Sequence, residues 1–520
     1  MAPVALTAVL AVALALRVVG VGTGLPYSLG VDEPEILERV FRMMKTGNFN
    51  PNFFDWPSLT IYLHLVVACL AFLSGAMHGA WRSLAEVGPS DLALYGRMLT
   101  AVTGTATVAV LFLAARRWGT RTALFAAALL AIAPNHVRES HYVLADIPTT
   151  FFVTLTFLLA LQANEGPSLS AFLLAGAAAG LAASCKYNGL IAIVLPLAAA
   201  VAARGPLLTI TIRVLVIVGA AAVAFLIGTP YAVLALPKFL ADYARLAYGF
   251  AQTRGGEPGW SLYLKYLQQS LGWVGLAAAV AGVGVAVHTI VRGPGRLRSL
   301  LIVGFPLLYF KVMATSFQIY GRYTLPLLPF AALLAAIGTA SAVRSLRVRL
   351  AFPALEGLTA GLLIAIVAPP LVRSVGFDRM LGRSSTTDLA YRYIDTHLPP
   401  GAVIVSETYP NLLMTRKYRV RNVRPLQGRT YADYMGSGVN YVLVSAAGYR
   451  QAYAAPEQNP QAYQAYVSLF SEARELTTFA GSDNVPGPDL RLLVVQPPMT
   501  TPGSTVAPAA PPAPSLPATP

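Results

Sequence analysis

The sequence predicts a polytopic α-helical membrane protein with a small C-terminal α/β domain outside the cytoplasm. Two observations predict this fold class. The 520-residue chain is 56% hydrophobic and only 12% charged, whereas soluble domains carry about 25% charged residues. It also contains repeated apolar runs close to the roughly 20 residues that a helix needs to cross a bilayer. After about residue 375 the composition changes to that of a water-soluble domain.

The charge and the cysteine content argue against nucleic-acid binding, a disulfide framework and a zinc site. The net charge of +15 does not indicate nucleic-acid binding, because most arginines before residue 350 lie in short clusters between apolar runs, where cytoplasmic loops carry them. The two cysteines, Cys69 and Cys185, lie far apart in apolar surroundings. They indicate neither a disulfide framework nor a zinc site.

Twelve apolar windows are candidate spans. We interpret the first as a retained span, because the N-terminus lacks the basic region and the small-residue cleavage site of a signal peptide. The windows are 4–22, 58–78, 92–115, 120–134, 147–163, 169–185, 188–203, 209–230, 271–291, 299–315, 323–343 and 351–372.

The arginine clusters decide which window does not cross. Clusters at 116–121, 204–213, 292–298 and 344–349 belong on the cytoplasmic side. If the N-terminus is also inside, all four clusters are cytoplasmic only when 58–78 does not span, so we expect that window to be re-entrant or interfacial and about eleven helices to cross. All acidic residues before residue 375 except Glu165 and Glu356 then lie on the exterior.

The predicted domains follow from this topology. Residues 1–374 form the transmembrane domain, and 23–91 is its first exterior loop with juxtamembrane helices. Residues 375–498 form the exterior α/β domain, in which "LAYRYIDTHLPPG" predicts an amphipathic helix and "AVIVSE", "NYVLVSA" and "LRLLVVQ" predict strands. Residues 499–520 are rich in Pro and Ala and predict a disordered tail.

Polar residues from four distant loops converge on the exterior face. The loops contain "VDEPEILE" after the first span, "NHVRESHYVLADIP" at 135–148, "SCKYNG" around Lys186 and "SFQIYGRYTLP" around Arg322. Ionisable groups at membrane depth are costly and indicate a functional site by default. A carboxylate can serve as general base toward a hydroxyl, and Lys and Arg can hold a phosphate. This set therefore suits transfer of a group carried on a lipid phosphate.

Each residue also has a structural interpretation when taken alone. Asp32 and Glu33 could only start a helix, since acids favour helix N-termini. Asp146 could cap the following span. His141 could lie at the interface, while Arg138 could contact lipid headgroups and Arg322 could anchor a helix. The convergence of the four loops favours the functional interpretation.

The arrangement resembles the GT-C glycosyltransferases of family 39, which include protein O-mannosyltransferases and aminoarabinose transferases. The resemblance covers most of residues 1–345 and is most specific over 92–150. It rests on the motifs "VDEPE", "FFDWPSLTIYLH", "YGRMLTAVTGTATVAVLFLAARRWG", "ALLAIAPNHVRESHYVLADIPTTFF", "GLAASCKYNGL" and "YGRYTLPLLPFAALLAA".

The resemblance implies an inverting glycosyltransferase with a polyprenyl-phosphate sugar donor. Asp32 would be the catalytic base, Glu33 its supporting carboxylate and Asp146 a second-loop acid. The remaining implied roles are donor-phosphate binding by Lys186 and Arg322, phosphate binding or loop positioning by Arg97 and Arg138, and substrate binding by His141, Tyr187, Tyr320 and Tyr323.

Several points stay open at this stage. The loop 232–270 is too short for the insert of the protein mannosyltransferases, and we expect it to lie along the membrane surface. The acceptor could be a lipid, a glycan or a protein. We expect no cofactor, although the loop carboxylates could in principle hold a divalent metal. The Ala- and Arg-rich composition suggests a bacterial cytoplasmic (inner) membrane.

Other functions remain to be weighed against this one. A transporter or flippase for a lipid-linked sugar is the main alternative, although no internal repeat is evident and the acids lie at the exterior rim. An oligosaccharide ligase is an alternative within the same fold class. A scaffold whose exterior domain binds a partner would leave the clustered carboxylates and cations unexplained.

Overall fold

The structure is a computed structural model that describes residues 2–30, 32–251, 257–293, 295–348, 352–408 and 417–497. The chain divides into two compact units, Met1–Arg383 and Ser384–Pro520. The boundary predicted after residue 374 lies inside the last helix of the first unit, which continues to Leu381. The predicted tail, 499–520, lies outside the described residues.

The first unit is built from α-helices. These are α1 (Ala2–Val18), α2 (Glu33–Thr46), α3 (Leu59–Met77), α4 (Pro89–Ala115), α5 (Thr120–Ala131), α6 (Pro134–Glu139), α7 (Asp146–Glu165), α8 (Leu169–Cys185), α9 (Val194–Ala202), α10 (Leu207–Gly228), α11 (Tyr231–Leu234), α12 (Leu236–Ala251), α13 (Gly259–Arg292), α14 (Arg296–Ala314), α15 (Leu328–Arg347) and α16 (Phe352–Leu381). Short 3₁₀ helices occur at Arg116–Trp118, Tyr187–Ile193 and Gly321–Leu327.

These helices confirm the prediction of a polytopic membrane fold. Within the described residues, eight helices are long and apolar enough to cross a membrane. Shorter apolar helices cover Ala2–Val18, Thr120–Ala131, Leu169–Cys185 and Tyr187–Ala202. Helix α3 is among the eight by length and composition, so the expectation that this segment is interfacial or re-entrant stays a prediction.

Two breaks in the helices bring polar residues to one place. The backbone is extended at Lys186 (φ −156°, ψ 135°) and at Tyr320 (φ −124°, ψ 146°), and a 3₁₀ helix follows each residue. An extended residue cannot continue the i to i−4 hydrogen bonds of an α-helix. Irregular backbone at membrane depth is tolerated where it lines a cavity. Lys186 and Tyr320, the residues at the two breaks, both line the same cavity.

A fully buried arginine fixes the path of the chain between α5 and α6. Arg17, on α1, donates hydrogen bonds to the carbonyls of Leu130 and Ala131 and to Nδ1 of His136. Carbonyls at the end of a helix lack N–H partners within that helix. Here the guanidinium of Arg17 donates hydrogen bonds to two of them. Arg17 thereby ties the start of the "NHVRES" loop to the first span, a role that the sequence did not indicate.

The second unit is a small α/β domain with a five-stranded sheet. Its elements are α17 (Thr386–His397), β1 (Val403–Ser406), β2 (Arg419–Asn422), α18 (Tyr431–Gly436), β3 (Tyr441–Ser445), α19 (Ala446–Ala454), α20 (Pro460–Glu472), β4 (Arg474–Phe479) and β5 (Leu490–Val494). The strand order is β2-β1-β3-β5-β4. Strands β2, β1 and β3 are parallel, whereas β5 is antiparallel to both β3 and β4.

The strands predicted from buried apolar runs are β1, β3 and β5, and the predicted helix is α17. Strands β2 and β4 were not predicted because most of their residues are exposed or only partly buried. Such edge strands carry a weak hydrophobic pattern.

A buried carboxyl group lies directly after the central strand β1. Glu407 is 5% exposed, and the hydroxyl of Tyr466 on α20 donates a hydrogen bond of 2.9 Å to its Oε2. Burial raises the pKa of Glu407 to about 7, although the Tyr466 hydroxyl opposes the shift. The folded domain therefore favours the protonated carboxyl more than the unfolded chain does.

We expect the stability of this domain to fall as the pH rises. An acid whose folded pKa is raised binds more protons when folded, so its stabilisation is complete below about pH 4.5 and is lost as the pH rises through about 7. The loss is on the order of 2 kcal/mol. Hydrogen exchange of β1 and β3 in the full chain, corrected for intrinsic rates, measures it. Glu407→Gln should remove the slope, and an unchanged slope in that variant would contradict the assignment.

Candidate active site

The first acidic loop places Asp32 at the start of α2 with its carboxylate turned away from that helix. Asp32 is the N-cap residue and has a left-handed backbone (φ 63°, ψ −6°), yet its side chain makes no capping hydrogen bond. Its Oδ2 instead accepts a hydrogen bond of 2.7 Å from Nη2 of Arg322. A non-glycine residue in this conformation indicates local strain, which concentrates at functional sites. The capping interpretation of Asp32 therefore does not describe its carboxylate.

Asp146 forms a second ion pair next to the first. It is the first residue of α7, and its Oδ1 accepts a hydrogen bond of 2.6 Å from Nζ of Lys186. Nε of Arg322 lies 3.9 Å from the other oxygen, Oδ2 of Asp146. Both acids and both cations are at most about one-third exposed, so four residues distant in sequence form one charge cluster, as predicted.

The charge cluster lines a cavity of about 650 Å³. Asp32, Asp146, Lys186 and Arg322 all contribute to its wall. The remaining wall is largely apolar and comes mainly from the segment after Lys186 and from helices α12 and α14. Apolar lining residues include Leu190, Ile191, Leu246, Phe250, Val312 and Met313. A cavity of this size with a few convergent polar groups is typical of a small-molecule site.

Aromatic rings surround the two cations. Nζ of Lys186 lies 4.2 Å from the ring centre of Tyr323, and the guanidinium of Arg322 lies 5.0 Å from that of Tyr320. The hydroxyl of Tyr187 donates to the carbonyl of Phe54. All three tyrosines line the cavity, as the sequence predicted for substrate-binding residues. Cation–π contacts hold the cations in place without neutralising them.

Glu33 and Arg97 form a buried pair away from the cavity wall. Arg97 donates to Glu33 from Nε (2.8 Å) and from Nη2 (2.6 Å), and the two side chains are 2% and 0% exposed. Glu33 also accepts hydrogen bonds from the backbone N–H groups of Gly30 and Val143. Arg97 Nη1 donates to the carbonyls of Val21 and Thr23. Neither side chain is among the residues that line the cavity.

These contacts assign Arg97 to loop positioning, one of the two roles implied for it, and not to phosphate binding. They also correct the role of Glu33. Its carboxylate accepts four hydrogen bonds, so it is fully used in holding the first loop and no lone pair is left to support Asp32 directly. Both residues position the catalytic loop.

His141 and Arg138 also lie outside the cavity lining. The ring of His141 is 2% exposed, and its two nitrogens lie 2.9 Å from the carbonyl oxygens of Val137 and Val19. These contacts give His141 a structural role between two backbone segments, and substrate binding by His141 stays a prediction that the cavity lining does not support. Arg138 is 44% exposed and is paired with Glu139, which leaves it near the site without contact to the cavity.

Helix α12 supplies residues that the sequence did not single out. Tyr243, Leu246 and Phe250 line the cavity together with Asp55 of the first loop. Asp242, on the same helix, accepts a hydrogen bond of 3.2 Å from the backbone N–H of Phe54. The amphipathic pattern of 236–251 and an acid buried within it were the available signals for this wall.

Among the described residues, no group of three or more His, Cys, Asp or Glu side chains is placed to hold a metal ion. The two carboxylates of the charge cluster each already accept a hydrogen bond from a cation, Arg322 or Lys186. A divalent ion would have to displace a positively charged side chain from each of them. The expectation of a site without a metal cofactor stays a prediction.

We expect Arg97→Gln to destabilise the fold rather than weaken donor binding. Loss of one member of a buried ion pair costs about 3 kcal/mol because the remaining charge lacks a partner. Thermal unfolding in detergent measures the change. Arg39→Gln is the matched control, since the Arg39–Glu35 pair is half-exposed and is worth at most about 1 kcal/mol. Equal melting temperatures for the two variants, with a raised donor KM for Arg97→Gln, would restore the phosphate-binding role.

The middle of the first unit matches a known sequence family. Residues 54–242 match the model described as dolichyl-phosphate-mannose-protein mannosyltransferase. No curated protein sequence matches the chain.

Solved structures share the fold at low sequence identity. ArnT from Cupriavidus metallidurans in the apo state has a TM-score of 0.55 and 16% identity, over 95% of this chain and 98% of that chain. ArnT bound to undecaprenyl phosphate has a TM-score of 0.52 and 15% identity, over 96% and 99%. AglB from Archaeoglobus fulgidus, in complex with an inhibitory peptide and a dolichol-phosphate, has a TM-score of 0.55 and 13% identity, over 94% and 74%.

The fold-level matches cover almost the whole chain, and the family match falls on the segment that contains Asp146 and Lys186. They confirm the resemblance to GT-C glycosyltransferases that the motifs indicated. The chain has the fold of these multi-pass membrane proteins, and its residues 54–242 match the dolichyl-phosphate-mannose-protein mannosyltransferase family model.

Proposed function

We propose that the enzyme transfers a sugar from a polyprenyl phosphate to an acceptor hydroxyl on the extracytoplasmic side of a bacterial inner membrane. The observation that carries this proposal is the composition of the cavity wall. Two carboxylates and two cations lie together at a cavity whose remaining wall is largely apolar. Such a cavity offers a charged place for a phosphate and an apolar place for the chain that carries it.

The cations suit a lipid phosphate. Lys186 has three N–H donors and makes one hydrogen bond of 2.6 Å, to Asp146, which leaves donors for an anion. Nε of Arg322 is buried and has no hydrogen-bond partner among the described residues, so the protein alone does not satisfy every donor of this guanidinium. Leu190, Ile191 and Leu246 offer apolar contact to isoprene units nearby. Solved relatives hold undecaprenyl phosphate and dolichol-phosphate, which supports a lipid phosphate as the common ligand.

Asp32 is the general base in this proposal. Its carboxylate takes the proton of the acceptor hydroxyl as the hydroxyl oxygen forms a bond to the anomeric carbon. The bond from that carbon to the phosphate oxygen breaks, and its electron pair leaves with the phosphate. Attack opposite to the leaving phosphate inverts the anomeric configuration. Lys186 and Arg322 stabilise the negative charge that develops on the leaving group.

Asp146 orients Lys186 rather than reacting itself. It is 6% exposed, and its hydrogen bond to Lys186 fixes the position of the ammonium group at the cavity wall. No step of this mechanism uses a metal ion. The acceptor is a lipid, glycan or protein hydroxyl, and its class is left to the assay.

A reconstituted transfer assay tests the function. Purified protein in liposomes receives a panel of polyprenyl-phosphate monosaccharides and candidate acceptors, and released polyprenyl phosphate is measured with and without EDTA. We expect turnover that EDTA does not change. Asp32→Asn should lower kcat by at least about 10²-fold, as removal of a general base does.

The control is Glu35→Gln, which removes a half-exposed carboxylate of the same helix and should retain wild-type turnover. Wild-type turnover in Asp32→Asn would contradict the base assignment, and inhibition by EDTA would contradict the metal-free mechanism. Labelled lipid that crosses the bilayer without consumption of donor would establish the alternative, a lipid-linked sugar transporter.

A further inference from the structure

Arg322 lies between the two carboxylates of the cavity but bonds strongly to only one of them. Its Nη2 donates to Asp32 at 2.7 Å, whereas its Nε is 3.9 Å from Asp146 and has no hydrogen-bond partner among the described residues. The cluster of Asp32, Asp146, Lys186 and Arg322 carries two negative and two positive charges. Its net charge is therefore zero before a substrate binds.

Sugar transfer changes the charge of two groups, and one of them is the partner of Arg322. A phosphodiester donor carries one negative charge. When the proton moves to Asp32 and the bond to the sugar breaks, Asp32 becomes neutral and the polyprenyl phosphate gains a second negative charge. The negative charge thus moves from the base to the leaving group, while the total in the cavity stays the same.

We infer that Arg322 is a shared cation that leaves the carboxylate of Asp32 and turns to the phosphate during transfer, and so links activation of the acceptor to departure of the lipid phosphate. This inference rests on the proposed function. The link follows from the contacts, because a guanidinium bonds most strongly to the partner that carries the charge. Protonation of Asp32 weakens its hydrogen bond to Nη2 just as the phosphate becomes a stronger acceptor.

Lys186 cannot have this role, although it lies in the same cavity. Its partner is Asp146, whose charge does not change in the reaction. The Lys186–Asp146 pair is therefore the same before and after transfer, whereas Arg322 loses the charge of its carboxylate partner as the charge on the phosphate grows. Interactions that are stronger in the transition state than in the ground state raise kcat, so we expect the larger share of kcat from Arg322 and the larger share of donor binding from Lys186.

A double-mutant cycle on product binding tests this link without turnover. Binding of undecaprenyl phosphate is measured for the full-length wild type, Asp32→Asn, Arg322→Gln and the double variant. Asp32→Asn imitates the protonated base and releases Arg322. We expect it to bind undecaprenyl phosphate about tenfold more tightly than the wild type does, the equivalent of one charge-assisted hydrogen bond. The double variant should bind within about twofold of Arg322→Gln, because sites that act through one contact are not additive.

The outcomes separate this inference from the proposed function. An equal gain from Asp32→Asn in both backgrounds, or no gain at all, overturns the shared-cation role and leaves the phosphate site intact. Absence of binding in the wild type overturns the proposed function and the inference with it.

Kinetics of Arg322→Lys supply a second measurement in case Arg322→Gln does not fold. Lysine keeps the charge but loses the planar fork that can reach both partners. We expect kcat to fall about tenfold with donor KM unchanged within about twofold, the pattern of a contact made in the transition state. Lys186→Gln should instead raise donor KM. A raised KM with unchanged kcat in Arg322→Lys would contradict the shared-cation role.

Discussion

The buried pair of Glu33 and Arg97 is the contact on which the site depends. It joins three parts of the chain, since Arg97 also holds the carbonyls of Val21 and Thr23 and Glu33 also holds the backbone of Val143. Asp32 immediately precedes Glu33, and Asp146 follows Val143 within one turn. A single fully satisfied ion pair thus sets the position of both carboxylates that line the cavity. Desolvation of such a pair is costly, and here its hydrogen bonds to the backbone offset that cost.

The charged residues at the cavity differ from this ion pair, because their hydrogen-bonding capacity is not fully used within the protein. Three of the cavity's four charged residues are partly exposed, and Asp146 is buried. Lys186 has N–H donors beyond the one that bonds to Asp146, whereas every acceptor position of Glu33 is occupied. A site that binds an anion needs cations held in place but not fully satisfied. Carboxylates beside Lys186 and Arg322 provide this, because they position the cations and lower the cost of keeping two positive charges in a largely apolar wall.

The fold could be predicted from the sequence to a large extent, because bilayer thickness imposes a length and a composition on every span. The C-terminal α/β domain could be predicted through its buried strands, whereas the exposed strands β2 and β4 carry too little apolar pattern. The convergence of Asp32, Asp146, Lys186 and Arg322 could also be predicted, since topology alone brings their loops to one face.

The roles of single residues could not be predicted in the same way. Arg97, His141 and Arg138 have the same polar chemistry in the sequence as Lys186 and Arg322. What separates them is the position of backbone groups: the carbonyls of Val21 and Thr23 use donors of Arg97, and those of Val137 and Val19 face the ring of His141. These contacts depend on three-dimensional placement that no periodicity records. The amphipathic pattern of 236–251 indicated a helix at the membrane surface but not that one of its faces lines the cavity.

A structure of the protein with undecaprenyl phosphate bound would show where the lipid phosphate lies. We expect phosphate oxygens within hydrogen-bond distance of Nζ of Lys186 and of the guanidinium of Arg322, with isoprene units against Leu190 and Leu246. A phosphate bound outside this cavity, with the contacts from Asp32 to Arg322 and from Asp146 to Lys186 unchanged, would contradict this expectation.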